Sequence, residues 1–366
     1  MNANIKIRQT IIVAVGLTLI WGALFVTTMT NGEIQLTTAQ IVRVLFISQE
    51  DVGNVEQMPS MVRRFFVAEG ADESTNVKDL VAHVVIHQSR LPRLLLATLA
   101  GAAFAIAGVM LQDAMRNGLA EPGIMGISMG GVVVVAFVTV YDIFVPYGML
   151  PLIALAGGLL TGVVLLVAAT LKTPPVRLVL IGVAMSALLN ALTIILISMS
   201  ETRDTQILYR FLVGSLSNRT WDSVDVVWPW MLVGIPLAFL TVRPLNLLQL
   251  GDDVAEGLGL PVVTTRAIIF AISIALVSAI VSVTGPISFI ALLAPHVARY
   301  LLQTSDARLV APIAALIGMV LLTGADLIAR LILSPVELPV GIFTTILGAP
   351  ILFVLIRRSL VRQEAR

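Results

Sequence analysis

The sequence predicts an all-α polytopic membrane protein with about ten transmembrane helices, and two observations carry that prediction. Of 366 residues, 58% are hydrophobic and only 12% charged, against roughly 25% charged in a typical soluble domain. The apolar residues gather in runs of about 20, the length that crosses a hydrocarbon core. There is no cysteine, so disulfides, thiolate nucleophiles, CxxCH haem attachment and cysteine zinc sites are excluded together. The formal net charge is +1, from 23 Lys and Arg against 22 Asp and Glu. A protein without a basic field is not expected to bind nucleic acid. Membrane lipid is its expected surrounding, with residues 1–366 forming a single membrane domain.

Ten runs follow from reading between charges and Pro/Gly clusters: 10–30, 91–113, 123–140, 148–171, 176–199, 224–242, 264–284, 287–303, 309–330 and 338–357. The first follows Lys6 and Arg8, but Thr27-Thr28-Met29-Thr30 offers no small-x-small cleavage site, so it reads as an uncleaved span. An even number puts both termini on one side. With that side inward, thirteen Lys and Arg are cytoplasmic and ten are outside. Six of the ten (Arg43, Arg63, Arg64, Lys78, Arg90, Arg93) share one long segment, leaving thirteen against four in the short loops. The positive-inside rule therefore predicts cytoplasmic N- and C-termini.

The one sizeable extramembrane stretch is 31–89, acidic and low in aromatics, expected to cap the outer face. Its end, Lys78 to Gln88, reads as a short amphipathic helix carrying His83 and His87 at i,i+4. Two imidazoles one turn apart can bind a metal, but with no third ligand close in sequence they read as surface histidines and no metal site is assigned.

The spans lack most catalytic chemistry. Ionisable groups, which an ion-coupled carrier would need, are scarce: Asp113 and Asp326 fall near span ends and Asn190 is the one amide well inside. No Ser/His/Asp set or HExxH occurs, and His296 has no nearby base partner, so no catalytic residue is assigned. Without GxxxxGK[ST] the chain has no P-loop of its own, and any ATP must be bound by another subunit. Small residues at helical spacing, such as Gly101, Ala105 and Gly108, or Gly158 and Gly162, point instead to closely approaching helices.

Several motifs mix charge, Gly and Pro at span ends. They are Arg90-Leu91-Pro92-Arg93, Asn117-Gly118-Leu119-Ala120-Glu121-Pro122-Gly123 with Gly126-Ile127-Ser128, Leu250-Gly251-Asp252-Asp253-Val254-Ala255 with Leu258-Gly259, Gly285-Pro286-Ile287-Ser288-Phe289-Ile290 through Pro295-His296-Val297-Ala298-Arg299, Ala325-Asp326 to Arg330, and Glu337-Leu338-Pro339-Val340-Gly341 to Gly348-Ala349-Pro350. In this order, from about Leu80 to Arg358, they closely resemble the FecCD family of importer permeases for iron-siderophores, haem and vitamin B12. The resemblance implies a type II ATP-binding-cassette importer permease fold: ten spans per subunit, paired with a second copy or a paralogue, over two ATPase subunits in a bacterial inner membrane. No cofactor is implied, and an iron-siderophore is the expected cargo.

Site residues follow from the resemblance. Within the cytoplasmic loop 244–263, Leu250, Gly251, Asp252, Asp253, Val254, Ala255, Leu258 and Gly259 would form the element that seats in the ATPase. Its apolar steps, Leu247, Leu250, Val254 and Leu258, independently suggest a partner-seeking face, the other reading being a loop helix lying on its own bundle. Arg90, Arg93 and Arg330 would receive acidic groups of a periplasmic substrate-binding protein, guanidinium suiting bidentate carboxylate pairing. Snorkelling interfacial anchors are the alternative.

An inner gate would lie at Asn117 and Leu119 and at Pro175 and Val176. Here the chain departs from relatives, with Gly118 where Pro is common and Pro175-Val176 where small hydroxyl residues are common; the segment 31–89 is also longer than the family's. Ser186, Asn190 and Thr193 recur at roughly helical spacing and would line the path or bond helices together. An ion-coupled secondary transporter with inverted repeats is the competing reading.

Overall fold

The computed structural model describes residues 3–32, 36, 37, 41, 82–146, 148–171, 173–200, 202–333 and 336–364. Most of the acidic segment 31–89, including Lys78 to Val81, lies outside the described residues. Among those described, regular structure is helical throughout. The elements are α1 (Ala3–Thr30), α2 (Leu91–Met115), α3 (Ile127–Val140), α4 (Leu150–Thr170), α5 (Pro175–Ser198), α6 (Thr202–Val213), α7 (Trp221–Leu240), α8 (Val242–Leu248), α9 (Asp252–Gly257), α10 (Val262–Thr284), α11 (Ile290–Leu302), α12 (Ala307–Leu331) and α13 (Val340–Glu364). Each of the ten expected runs coincides with a helix. Seven are long and apolar enough to span; α3, α11 and the apolar part of α13 are shorter. A π-helical turn, Val85–Arg90, extends α2 backward so that the rod begins at Ala82 instead of Leu91.

Helix α2 is the axis of the bundle, with all but a few of its residues buried. Its small residues explain why. A Cβ on Gly101 would lie 2.3 Å from the Gly318 carbonyl oxygen of α12, and one on Gly108 would overlap the Ala291 carbonyl of α11. Such approaches are what draw helices together where the hydrophobic effect cannot distinguish protein from lipid. Gly158 and Gly162 of α4 play the same part against Ser278 and Ile274 of α10, itself mostly buried. Helix α1 lies at the periphery, held by Gln9 Nε2 to the Leu301 carbonyl (2.7 Å) and Trp21 Nε1 to Thr98 Oγ1 (3.2 Å).

Two helices start late. With about 1.5 Å rise per residue, the 14 residues of α3 and 13 of α11 each cover about 20 Å, short of a ~30 Å hydrocarbon core. Left-handed residues open both: Gly126 (φ 80°) before α3 and Phe289 (φ 70°) before α11. The sequence runs 123–140 and 287–303 absorbed these openings because they are apolar. The irregular stretches 116–126 and 285–289 are the places where backbone groups need partners from elsewhere.

Candidate translocation, docking and coupling sites

The stretches 116–126 and 285–289 meet at a cavity of about 750 Å³. Its walls carry Glu121, Ser128, Ser186, Asn190, Ser288 and Thr345 among apolar side chains. Glu121 is buried, and its Oε1 accepts the Phe289 N–H at 2.9 Å, tying one irregular stretch to the start of α11. Ser186 Oγ donates to the Ile124 carbonyl at 2.8 Å, so it both lines the cavity and bonds α5 to the segment before α3. Thr193 does not join them: it is 1% exposed, and its hydroxyl donates to Leu189 of its own helix at 2.8 Å. The expected stripe of three therefore splits, because Thr193 turns to the protein side of α5.

At one end of the bundle lie Arg90, Arg93 and Arg330. They occupy the helix ends expected, yet all three are buried instead of standing on an open surface. Arg93 is enclosed by acceptors of this chain: Nε lies 3.1 Å from both Asp326 oxygens, Nη2 2.9 Å from Asp326 Oδ1, and Nη1 2.9 and 2.8 Å from the two Glu337 oxygens. Burial alone would raise the Glu337 carboxyl, but Arg93, Ser217 and Arg330 outweigh it and hold it below the usual carboxylate range. Arg90 Nη1 donates to the Met29 carbonyl at the end of α1. Arg330 contacts Asp326 at 3.5 Å, while its Nη2 has no hydrogen-bond acceptor among the described residues.

The opposite end is built around α9. Gly251 at φ 111° turns the chain into this helix, a conformation suited to a residue without a Cβ. Ala255 packs inward, whereas Leu250, Val254 and Leu258 are 58, 50 and 60% exposed. Asp253 and Glu256 are exposed beside them, and Gly259 (φ 86°) ends the turn. Of the four apolar residues the spacing put on one face, Leu247 packs against the core and the other three stand in the open. Asp252 behaves differently: its Oδ1 accepts from Arg266 Nη2 at 2.8 Å and lies 3.4 Å from Arg116 Nη2.

The expected gate residues stand next to this element. Asn117 Oδ1 accepts the Leu119 N–H at 3.0 Å in the turn that ends α2, and Leu119 is half exposed. Pro175 begins α5 with Val176 exposed beside it. Thr173, Pro174 and Pro175 share a cleft of about 570 Å³ with Arg116, Asp252, Val254 and Arg266. A Cβ at position 118 would meet His296 Nε2 at 3.1 Å, so a larger residue there would require the imidazole to shift by a few tenths of an ångström. His296 itself is structural, its Nδ1 paired with the Leu292 carbonyl at 2.7 Å.

A profile of the FecCD transport family matches residues 20–358. The chain belongs to the FecCD transport family. It is 41% identical over 268 residues to the iron(III) dicitrate transport system permease protein FecD of Escherichia coli, covering 73% of this chain and 83% of that one. It is 34% identical over 332 residues to the iron(III)-hydroxamate import system permease protein FhuG of Bacillus subtilis, covering 88% and 96%. A solved inward-facing conformation of a metal-chelate type ABC transporter superposes with a TM-score of 0.77 at 26% identity, covering 94% of this chain and 98% of that chain. This FecCD protein is a multi-pass permease subunit of an ATP-binding-cassette importer, a class that works with ATPase subunits and a second permease.

Several residues of this FecCD permease that the structure brings to its sites were not singled out by sequence. Glu121 was visible only as part of a motif, with no periodicity to show that it turns inward. Arg116, Arg266 and Arg299 were counted only among the cytoplasmic charges and Asp113 only as a group near a span end, yet Arg299 pairs with Asp113 at 2.8 Å and Arg116 and Arg266 with Asp252. Their signal was present: an Arg just inside a span start and an Asp just inside a span end are costly unless paired.

Proposed function

We propose that this permease carries an iron-siderophore chelate from the outside to the cytoplasm of a bacterial inner membrane, with both termini cytoplasmic. The observation that carries the reading is the half-enclosed, mainly apolar cavity between the irregular stretches, dotted with the polar side chains of Glu121, Ser128, Ser186, Asn190, Ser288 and Thr345. One wall is missing. Only Leu178, Gly182 and Thr193 of α5's 24 residues are buried, so a second copy or a paralogous permease facing α5 would complete the path. Relatives named for iron(III) dicitrate and iron(III)-hydroxamate support a ferric chelate as cargo.

Energy would enter at the α9 end, where Leu250, Val254 and Leu258 offer the apolar face for an ATPase subunit. Asn117, Leu119, Pro175 and Val176 beside it would close the path inward. A periplasmic substrate-binding protein would dock at the opposite end. There Arg330 Nη2 lacks an acceptor among the described residues but is buried, so a carboxylate would reach it only if the helix ends open on docking, while Arg93 is already engaged by Asp326 and Glu337. Arg330→Glu should weaken that docking with a steep salt dependence, and unchanged docking would remove the assignment.

The deciding experiment is radioiron uptake by a deletion strain complemented with this chain. A ferric siderophore or ferric citrate should restore growth and uptake, and haemin or a corrinoid should not; rescue by those two alone overturns the cargo. Uptake into vesicles should survive collapse of proton and sodium gradients and stop without ATP. The opposite pattern would favour an ion-coupled carrier.

A further inference from the structure

Asp252 belongs to the segment that faces an ATPase, yet its carboxylate turns away from the exposed trio Leu250, Val254 and Leu258 and into the bundle. Two cations meet it there. Arg266, 5% exposed at the start of α10, donates Nη2 to Asp252 Oδ1 at 2.8 Å and, through Nε, donates to the Ala114 carbonyl in the last turn of α2 at 3.2 Å. Arg116 sits in the left-handed residue (φ 51°) that terminates α2, and its Nη2 lies 3.4 Å from the same Asp252 oxygen. One carboxylate oxygen thus joins α9, the first turn of α10 and the end of α2. The residue after Arg116 is Asn117, where the irregular stretch toward Glu121 and the cavity begins. A displacement of α9 has few other ionic routes into the bundle: among its described charges, Asp253 and Glu256 are exposed.

We propose that Asp252 is the joint of this permease, a positioning residue that converts movement of α9 into movement of the α2 terminus and of the Asn117–Leu119 turn. This rests on reading α9 as the ATPase-facing element. It assigns Asp252 the opposite duty from its neighbours: Val254 and Leu258 hold the partner, and Asp252 holds the bundle. A shared charge suits the task, because one oxygen of Asp252 faces both arginines, so a shift of α9 acts on the α2 terminus and on α10 together.

The absence of native cysteine makes a direct test available. Leu119→Cys is introduced into the full permease, co-purified with its ATPase subunits in nanodiscs, and maleimide labelling is followed with and without a non-hydrolysable ATP analogue. The nucleotide-dependent change in labelling rate should fall about fivefold or more in Asp252→Asn. It should persist in Asp252→Glu, with ATPase subunits retained in both. An undiminished change in Asp252→Asn overturns the joint, as does loss of the ATPase from that variant, which would make Asp252 a partner contact.

Should Asp252→Asn fail to accumulate, Arg116→Gln is read instead, since that side chain is 43% exposed. A partial loss of the change supports the proposal and an unchanged response overturns it. Val254→Glu reports on the underlying reading separately: it should release the ATPase, and retention there would overturn the placement of α9 itself.

Discussion

The two ends of the bundle use the same chemistry, arginine against carboxylate, to opposite effect. At the Arg93 end the guanidinium is buried and its hydrogen bonds are met by Asp326 of α12 and Glu337 before α13. At the Asp252 end a partly exposed carboxylate shares one oxygen between two arginines, beside clefts of about 570 and 260 Å³. Burial separates one pair at each end, Arg93–Asp326 (6 and 3% exposed) from Arg116–Asp252 (43 and 33%), while Arg93–Glu337 and Arg266–Asp252 are alike, a buried arginine against a partly exposed carboxylate. A desolvated pair is expensive to break because each partner alone would be left charged in a poorly solvated place, so it behaves as a clamp. The half-solvated Arg116–Asp252 pair loses little when its geometry changes, so it can follow a movement.

Breaking the clamp should have the largest effect. Arg93→Ala leaves two carboxylates without their main counter-charge and should destabilise the protein by about 3–5 kcal/mol, read as a fall in detergent-solubilised melting temperature and in folded yield. Acidification should act on the same end more gently. Glu337 is held below its ordinary range, so its contribution is present above that range and is lost as pH falls through the lowered value. The melting temperature should therefore decline on acidification, and Glu337→Gln should flatten that part of the decline.

Arg116→Gln, at the opposite end, should cost only about 0–1 kcal/mol in the same melt, although transport coupling responds to it. A large loss there would erase the distinction between clamp and joint. The smallest effect belongs to Thr193→Val, whose hydroxyl serves only its own helix. Stability should shift by about 0.6 kcal/mol or less and radioiron uptake should be unchanged.

Particular residues show what could be read from the chain. The α9 trio was legible because Leu250, Val254 and Leu258 repeat at helical steps outside a span, and the structure leaves them exposed. The arginines were legible as helix-end residues but not as buried ones: their acceptors Asp326 and Glu337 lie more than 230 positions along the chain from Arg93. Thr193 was grouped with Ser186 and Asn190 by a spacing that tolerates a rotation of tens of degrees around the helix, enough to move one side chain from cavity to protein.

By itself, the sequence determined the number and order of the apolar helices, the expected charge bias between the two sides and the family. Each is set by local composition: a run of about 20 apolar residues spans or it does not, and motifs are contiguous. Only the tertiary structure decided where the helices break at Gly126 and Phe289, which small residues become backbone contacts, and which of the few charges are clamped, shared or left with a donor to spare. Those outcomes depend on partners distant in the chain, and the cost of a charge or a bare carbonyl is set by whatever the fold places beside it.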